Sequence, residues 1–136
     1  METEATRTLM RKFLEARAAN DAATIAELVT DDVEWRLPAS AGMGPFVGRD
    51  VVVPAITGGA SGTFLDVSTL RRDVRSLIVD GDRAVVQQRV TAKALNGNDY
   101  ANEYCWAYTC RDGRVAVMEE YADSLYAARV FGQVEG

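Results

Sequence analysis

Residues 100–123, YANEYCWAYTCRDGRVAVMEEYAD, constrain this chain more than any other segment. They predict a β-hairpin turning at Asp112-Gly113 and running directly into a helix. Side chains alternate along a strand, so Tyr100, Asn102, Tyr104, Trp106 and Tyr108 share one face. Ala101, Glu103, Cys105, Ala107 and Thr109 share the other. A row of large amphipathic rings reads as a core or as the wall of an apolar pocket with polar tips. The return strand brings Glu119 and Glu120 to that row, either as an acid/base group or as a solvated carboxylate. A two-residue turn at Asp112-Gly113 would set Glu119 opposite Trp106, whereas a three-residue loop with a glycine bulge would set Glu120 opposite Tyr104.

The rest of the chain divides into a helical front and a strand-rich back. A first helix is predicted over about 3–19, with Leu9, Met10, Phe13, Leu14 and Arg17 at helical spacing. Asn20 or Asp21 starts a second, with Ile25, Leu28 and Val29 as its stripe. Residues 33–38 alternate like a strand that stops at Pro38, with Glu34 and Arg36 outward and Val33, Trp35 and Leu37 inward. Asp50 is the expected cap of a short third helix, and GGASG at 58–62 reads as a flexible connection. Strands follow over about 65–79, 83–95, 100–110 and 114–122, separated by Asp80-Gly81-Asp82, Asn96-Gly97 and Asp112-Gly113. A last helix over 124–131 has Asp123 as its N-cap and Gly132 as its stop. This order is an α+β pattern, expected as a single domain over 1–136.

Several functional classes are disfavoured. The net charge is −5 without a basic stripe, which argues against nucleic acid. No apolar run approaches the roughly 20 residues of a membrane span. The chain has no histidine, so histidine-based triads and histidine metal sites are absent, and two cysteines alone make no zinc site. Cys105 and Cys110 fall about 17 Å apart on one strand, at roughly 3.4 Å per residue, too far to pair. Free thiols and a charged helical N-terminus predict the cytoplasm. Acid/base chemistry must come from carboxylates, tyrosine, lysine or arginine-assisted water. No metal and no cofactor is expected.

In order along the chain, ND…IAELVTDDVEWRLP, G…FVGRD, VDGDRAVVQQRV and DGRVAVMEEYADS resemble the SnoaL-like family. That family belongs to the nuclear transport factor 2-like, ketosteroid isomerase-like superfamily. The resemblance implies a curved antiparallel sheet wrapped around the N-terminal helices as a cone, closed by a short C-terminal helix. It also implies a deep pocket and a homodimer. Leu37 before Pro38, and Phe13 on the first helix, stand where ketosteroid isomerases carry a catalytic aspartate and tyrosine. Arg89-Val90-Thr91 keeps the arginine of the Arg-x-Asp of limonene-type epoxide hydrolases and loses its acid. Polyketide cyclases carry an acid near the end of the last strand, where Glu120 and Asp123 stand.

The resemblance favours Glu120 over Glu119 as the pocket acid. It implies a catalytic set of Glu120, Arg89, Tyr104 and Asp123, with Trp35, Phe46, Asn102, Trp106 and Met118 binding substrate. The expected substrate is an apolar, partly oxygenated small molecule, polyketide- or terpene-like. The expected reaction is cyclisation, isomerisation or epoxide opening. The alternative is a non-catalytic small-molecule-binding or dimer-assembly module.

Overall fold

The computed structural model describes residues 1–134. Helix α1 (Thr3–Ala18) turns Leu9, Met10, Phe13, Leu14 and Arg17 to one buried side. Its first turns are tied to the β3–β4 turn described below: the Thr6 hydroxyl donates to the Gly81 carbonyl at 2.6 Å, and the Gly81 N–H donates to Thr3 Oγ1 at 2.9 Å. Asp21 caps α2 (Ala22–Leu28) by accepting from the Thr24 N–H at 3.1 Å. Strand β1 (Val29–Arg36) sends Val33 and Trp35 inward, while Arg36 meets Glu34 outside at 2.8 Å. A two-residue strand β2 (Phe46–Val47) and helix α3 (Arg49–Pro54) follow.

Gly48 at φ 99°, not Asp50, caps α3; its carbonyl accepts from the Val51 and Val52 N–H groups, so the helix starts a residue before Asp50. The expected flexible connection at 58–62 is instead wound into a π turn over Ala55–Gly59 and a 3₁₀ turn over Ser61–Thr63. These turns lie beside the cavity described below, with Ser61 in its wall.

Strands β3 (Leu65–Asp80), β4 (Arg83–Ala94), β5 (Asp99–Arg111) and β6 (Arg114–Ala122) form the meander, and α4 (Ser124–Val130) closes the fold. The six strands run in the order β2-β1-β6-β5-β4-β3. The meander is antiparallel, but β1 pairs parallel with β6, so the curved sheet is mixed rather than antiparallel throughout. The chain reaches β6 through the whole meander, and that long route lets the two strands run in one direction.

The inner face of β5 is the expected ring row. Tyr100, Asn102, Trp106 and Tyr108 are all buried. Phe13 meets Tyr108 edge-on at 5.6 Å, Tyr108 stacks on Trp106 at 5.9 Å, and Trp35 stacks on Phe46 at 4.9 Å. Met10, Phe13, Ile25 and Met118 are sealed between α1, α2 and the sheet. Burying each such side chain contributes about 1.5–3 kcal/mol.

Asp112 and Gly113 both have positive φ, 52° and 77°, so β5 and β6 join through a two-residue turn of the primed type. Arg111 faces Arg114 and Cys110 faces Val115, but Thr109 faces Val117. Ala116 is therefore an extra residue in β6, a bulge that moves every later side chain on by one. The consequence is a pairing that neither simple turn produces: Glu120 lies opposite Trp106, and Glu119 opposite Ala107 on the outer face.

Candidate active site

The α1–α2 pair covers only part of the concave face. Met118 lies under that cover with no exposed surface. Glu120, about 7 Å further along the same face of β6, emerges beyond it. There it enters a cavity of about 270 Å³ whose apolar wall includes Trp35, Leu37, Met43, Phe64, Leu65 and Phe131, with Tyr100, Asn102 and Tyr104 as polar groups. A side cleft of about 40 Å³ continues inward from Glu120 past Tyr104 and Trp106 to Arg17 and Arg72.

Helix α4 supplies the outer wall. The Asp123 carboxylate accepts from the Tyr126 N–H at 3.0 Å, which fixes the start of the helix. The Tyr126 hydroxyl accepts from the Ala101 N–H at 2.9 Å, and Phe131 stacks on Tyr100 at 5.2 Å and on Phe64 at 4.7 Å. Replacing the cap, Asp123→Ala, is expected to destabilise the chain by about 1 kcal/mol. Chemical denaturation would read that loss directly.

Polar groups in the cavity form a chain. Asn102 Nδ2 donates to the Tyr100 oxygen at 2.9 Å and to the Asp123 carbonyl at 3.1 Å. The Tyr100 and Tyr104 hydroxyls share a hydrogen bond of 2.6 Å. Burial raises both phenols above their ordinary range, Tyr104 strongly, so Tyr104 remains a protonated donor. Burial also pushes the Glu120 carboxyl up to about 7, while Arg17 and Arg72 pull it back down. Arg72 is lowered to about 10, chiefly by burial and then by repulsion from Arg17, and so stays charged at neutral pH. A carboxyl that changes charge near neutral pH, among rings and beside a phenol donor, is equipped for proton transfer.

The structure brings together Glu120, Tyr104, Asn102, Trp35 and Trp106, the last lining the side cleft. It does not bring the other four to the cavity. Arg89 pairs across the sheet with Glu103, and its guanidinium meets that carboxylate at 3.4 Å on the outer face. Its neighbour Val90 takes the inner position, so alternation alone excludes Arg89 from Glu120. The Asp123 side chain is committed to the α4 cap. Met118 is sealed in the core, and Phe46 backs Trp35 from behind. Glu119 lies outside, 3.8 Å from Arg36.

The cations that act on Glu120 are Arg17 and Arg72, neither of which the sequence reading selected. Arg17 left a signal: a charged residue completing an apolar stripe. Arg72 left none, because β3 shifts register between Asp66 and Arg71 and between Val74 and Ser76.

A family model described as the SnoaL-like domain matches residues 10–118. The chain belongs to the SnoaL-like family. Its fold is the NTF2-like fold of solved structures that share little sequence with it. TerC, co-crystallised with polyporic acid, superposes with a TM-score of 0.81 at 22% identity, covering 94% of this chain and 98% of that one. Bal32a, from a soil-derived mobile gene cassette, gives 0.80 at 24% identity, covering 96% and 98%. An NTF2-like protein of unknown function from Burkholderia pseudomallei K96243 gives 0.79 at 21% identity, covering 93% and 97%. No curated protein matches the chain significantly. Among the described residues, no helix of this SnoaL-like chain is long and apolar enough to cross a membrane.

Proposed function

We propose that this SnoaL-like protein is an enzyme that moves protons on an apolar, partly oxygenated small molecule, with Glu120 as the acid/base group. The observation that carries the reading is a carboxyl, the only one among the described residues that line the apolar cavity, with its pKa pushed up to about 7. At neutral pH it is present in both charge states. The ionised form takes a proton from a carbon flanked by carbonyls. Tyr104 donates a hydrogen bond to the carbonyl oxygen as negative charge builds there. The Tyr100 and Tyr104 hydroxyls share one hydrogen bond, and Tyr104 serves the substrate in the arrangement in which Tyr100 donates within that pair. Protonated Glu120 then returns the proton to another carbon, giving isomerisation. In a cyclisation the carbanion carbon attacks a second carbonyl, whose oxygen takes the proton. Epoxide opening is the variant in which protonated Glu120 donates to the ring oxygen while water attacks the ring carbon whose C–O bond breaks, the proton released by that water returning to the Glu120 carboxylate. Similarity to TerC, which was crystallised with polyporic acid, supports an oxygenated ring compound as the occupant.

A panel of β-dicarbonyl compounds and epoxides, incubated with wild type and with Glu120→Gln, tests the reading. Turnover that the variant loses supports it and shows which chemistry operates. Binding without turnover overturns it in favour of a ligand-binding module.

The proposal includes a homodimer assembled through the outer face of the sheet. Ile78 and Val85 are cross-strand neighbours there, 61% and 36% exposed, the kind of apolar pair that a partner covers. Sedimentation equilibrium is expected to give twice the chain mass; a single-chain mass at micromolar concentration would contradict it.

A further inference from the structure

The side cleft has a chemistry of its own. Arg17 is 6% exposed, and its Nε and Nη1 atoms are buried without a hydrogen-bond partner among the described residues. Its guanidinium lies 5.1 Å from the Trp106 ring centroid, which holds it in place without neutralising it. Trp106 Nε1, in the same wall, is likewise buried and unpartnered among the described residues. Arg72 reaches the cleft from β3 and is oriented by donating to the Arg17 carbonyl at 3.2 Å. Every one of these groups is a donor. A buried unpaired guanidinium is costly, and here two guanidinium groups face one carboxylate. The inner end of the cavity therefore carries positive charge whether Glu120 is ionised or not.

We propose that this cleft is an anion subsite, in which Arg17 and Arg72 take one acidic oxygen group of a molecule whose apolar ring body fills the main cavity. The inference rests on the cavity being the substrate site and narrows the substrate to a hydrophobic acid. At about 40 Å³ the cleft holds roughly three water-sized groups, enough for a carboxylate or an enolate oxygen and too small for a ring. Neutral hydrocarbons leave the donors unpaired and bind weakly.

Calorimetric titration tests this without turnover. Near pH 6, naphthoate is expected to bind wild type at least about tenfold more tightly than its neutral isostere naphthamide, because charge-assisted bonds to arginine are the stronger kind. Arg17→Gln and Arg72→Gln, each checked for folding by circular dichroism, are expected to lose that preference. Two variants on different elements keep the test valid if one fails to fold. A second pair, hydroxynaphthoquinone against its methoxy ether, distinguishes an enolate from a carboxylate. Preference for either acid over its neutral partner supports the subsite, and the stronger of the two names the group.

The groups facing Glu120 are Arg17 from α1, Arg72 from β3, and Tyr100, Tyr104 and Tyr108 from β5. Glu120, pushed up to about 7, changes charge between about pH 6 and pH 8. Its ionisation competes for the arginines, so the acid should bind more weakly at the higher pH and the amide should not. Glu120→Gln keeps the acid preference and removes its pH dependence. Equal affinity for acid and amide in wild type, binding of neither, or a preference that survives both arginine substitutions overturns the subsite. None of these depends on catalysis, so an inactive protein that still selects the acid separates the two claims.

Discussion

At about pH 8 the Glu120→Gln variant is expected to be more stable than wild type, by about 3 kcal/mol, and to melt roughly 10 °C higher. The reason is the position of the carboxyl, whose pKa in the fold stands near 7 against an ordinary 4.5. Below about pH 4.5 both folded and unfolded chains hold the proton, and the two proteins should be equally stable. Between about 4.5 and 7 the unfolded chain releases the proton while the folded chain keeps it. Stability therefore falls as pH rises through this window and levels off once the buried group ionises. Glutamine has no proton to release, so the variant escapes the loss. Thermal melts of both proteins across this range measure the difference. A variant less stable than wild type at pH 8 would mean that Arg17 and Arg72 hold the carboxylate as a structural partner.

The same substitution is expected to reduce turnover by about 10²–10⁴-fold, the usual contribution of a positioned acid or base. The pH profile tells the two chemistries apart. If ionised Glu120 removes a proton from carbon, the rate rises with pH and reaches a plateau above about 7. If protonated Glu120 opens an epoxide, the rate is level below about 7 and falls above it. Glu120→Asp retains a carboxylate with a shorter reach, and partial activity with the same sense of pH dependence would distinguish proton transfer from a structural effect. A variant with full activity would remove Glu120 from the chemistry.

Much of the scaffold was legible because it is periodic. The ring row of β5 alternates without interruption from Tyr100 to Tyr108, and all but Tyr104 are buried inward as that spacing requires. Asp21, Asp123 and the Asp112-Gly113 turn carry local side-chain chemistry that acts within three or four residues. The remainder depends on breaks in periodicity that local sequence does not mark. One extra residue at Ala116 changes the partners of the whole end of β6, and it delivered Glu120 to the cavity by a pairing that neither turn geometry alone predicts. Register shifts in β3 hide the inward position of Arg72 in the same way. Arg89 was drawn in by its resemblance to a hydrolase motif, although its own strand pattern set it opposite Val86 and Val90. Arg17 was readable as an oddity in an apolar stripe, but its meaning needed its tertiary placement against Trp106, in a cleft that Glu120 also lines.

The decisive property of this fold is one carboxyl lifted into the neutral range at the inner end of an apolar cavity. Its most direct test is the titration of Glu120 itself, followed by the carboxyl carbon resonance in glutamate-labelled protein and assigned by its loss in Glu120→Gln. An apparent pKa near 7 is the expected result. An ordinary glutamate value, or a lower one, would make Glu120 a neutralised partner of Arg17 and Arg72 rather than an acid/base group.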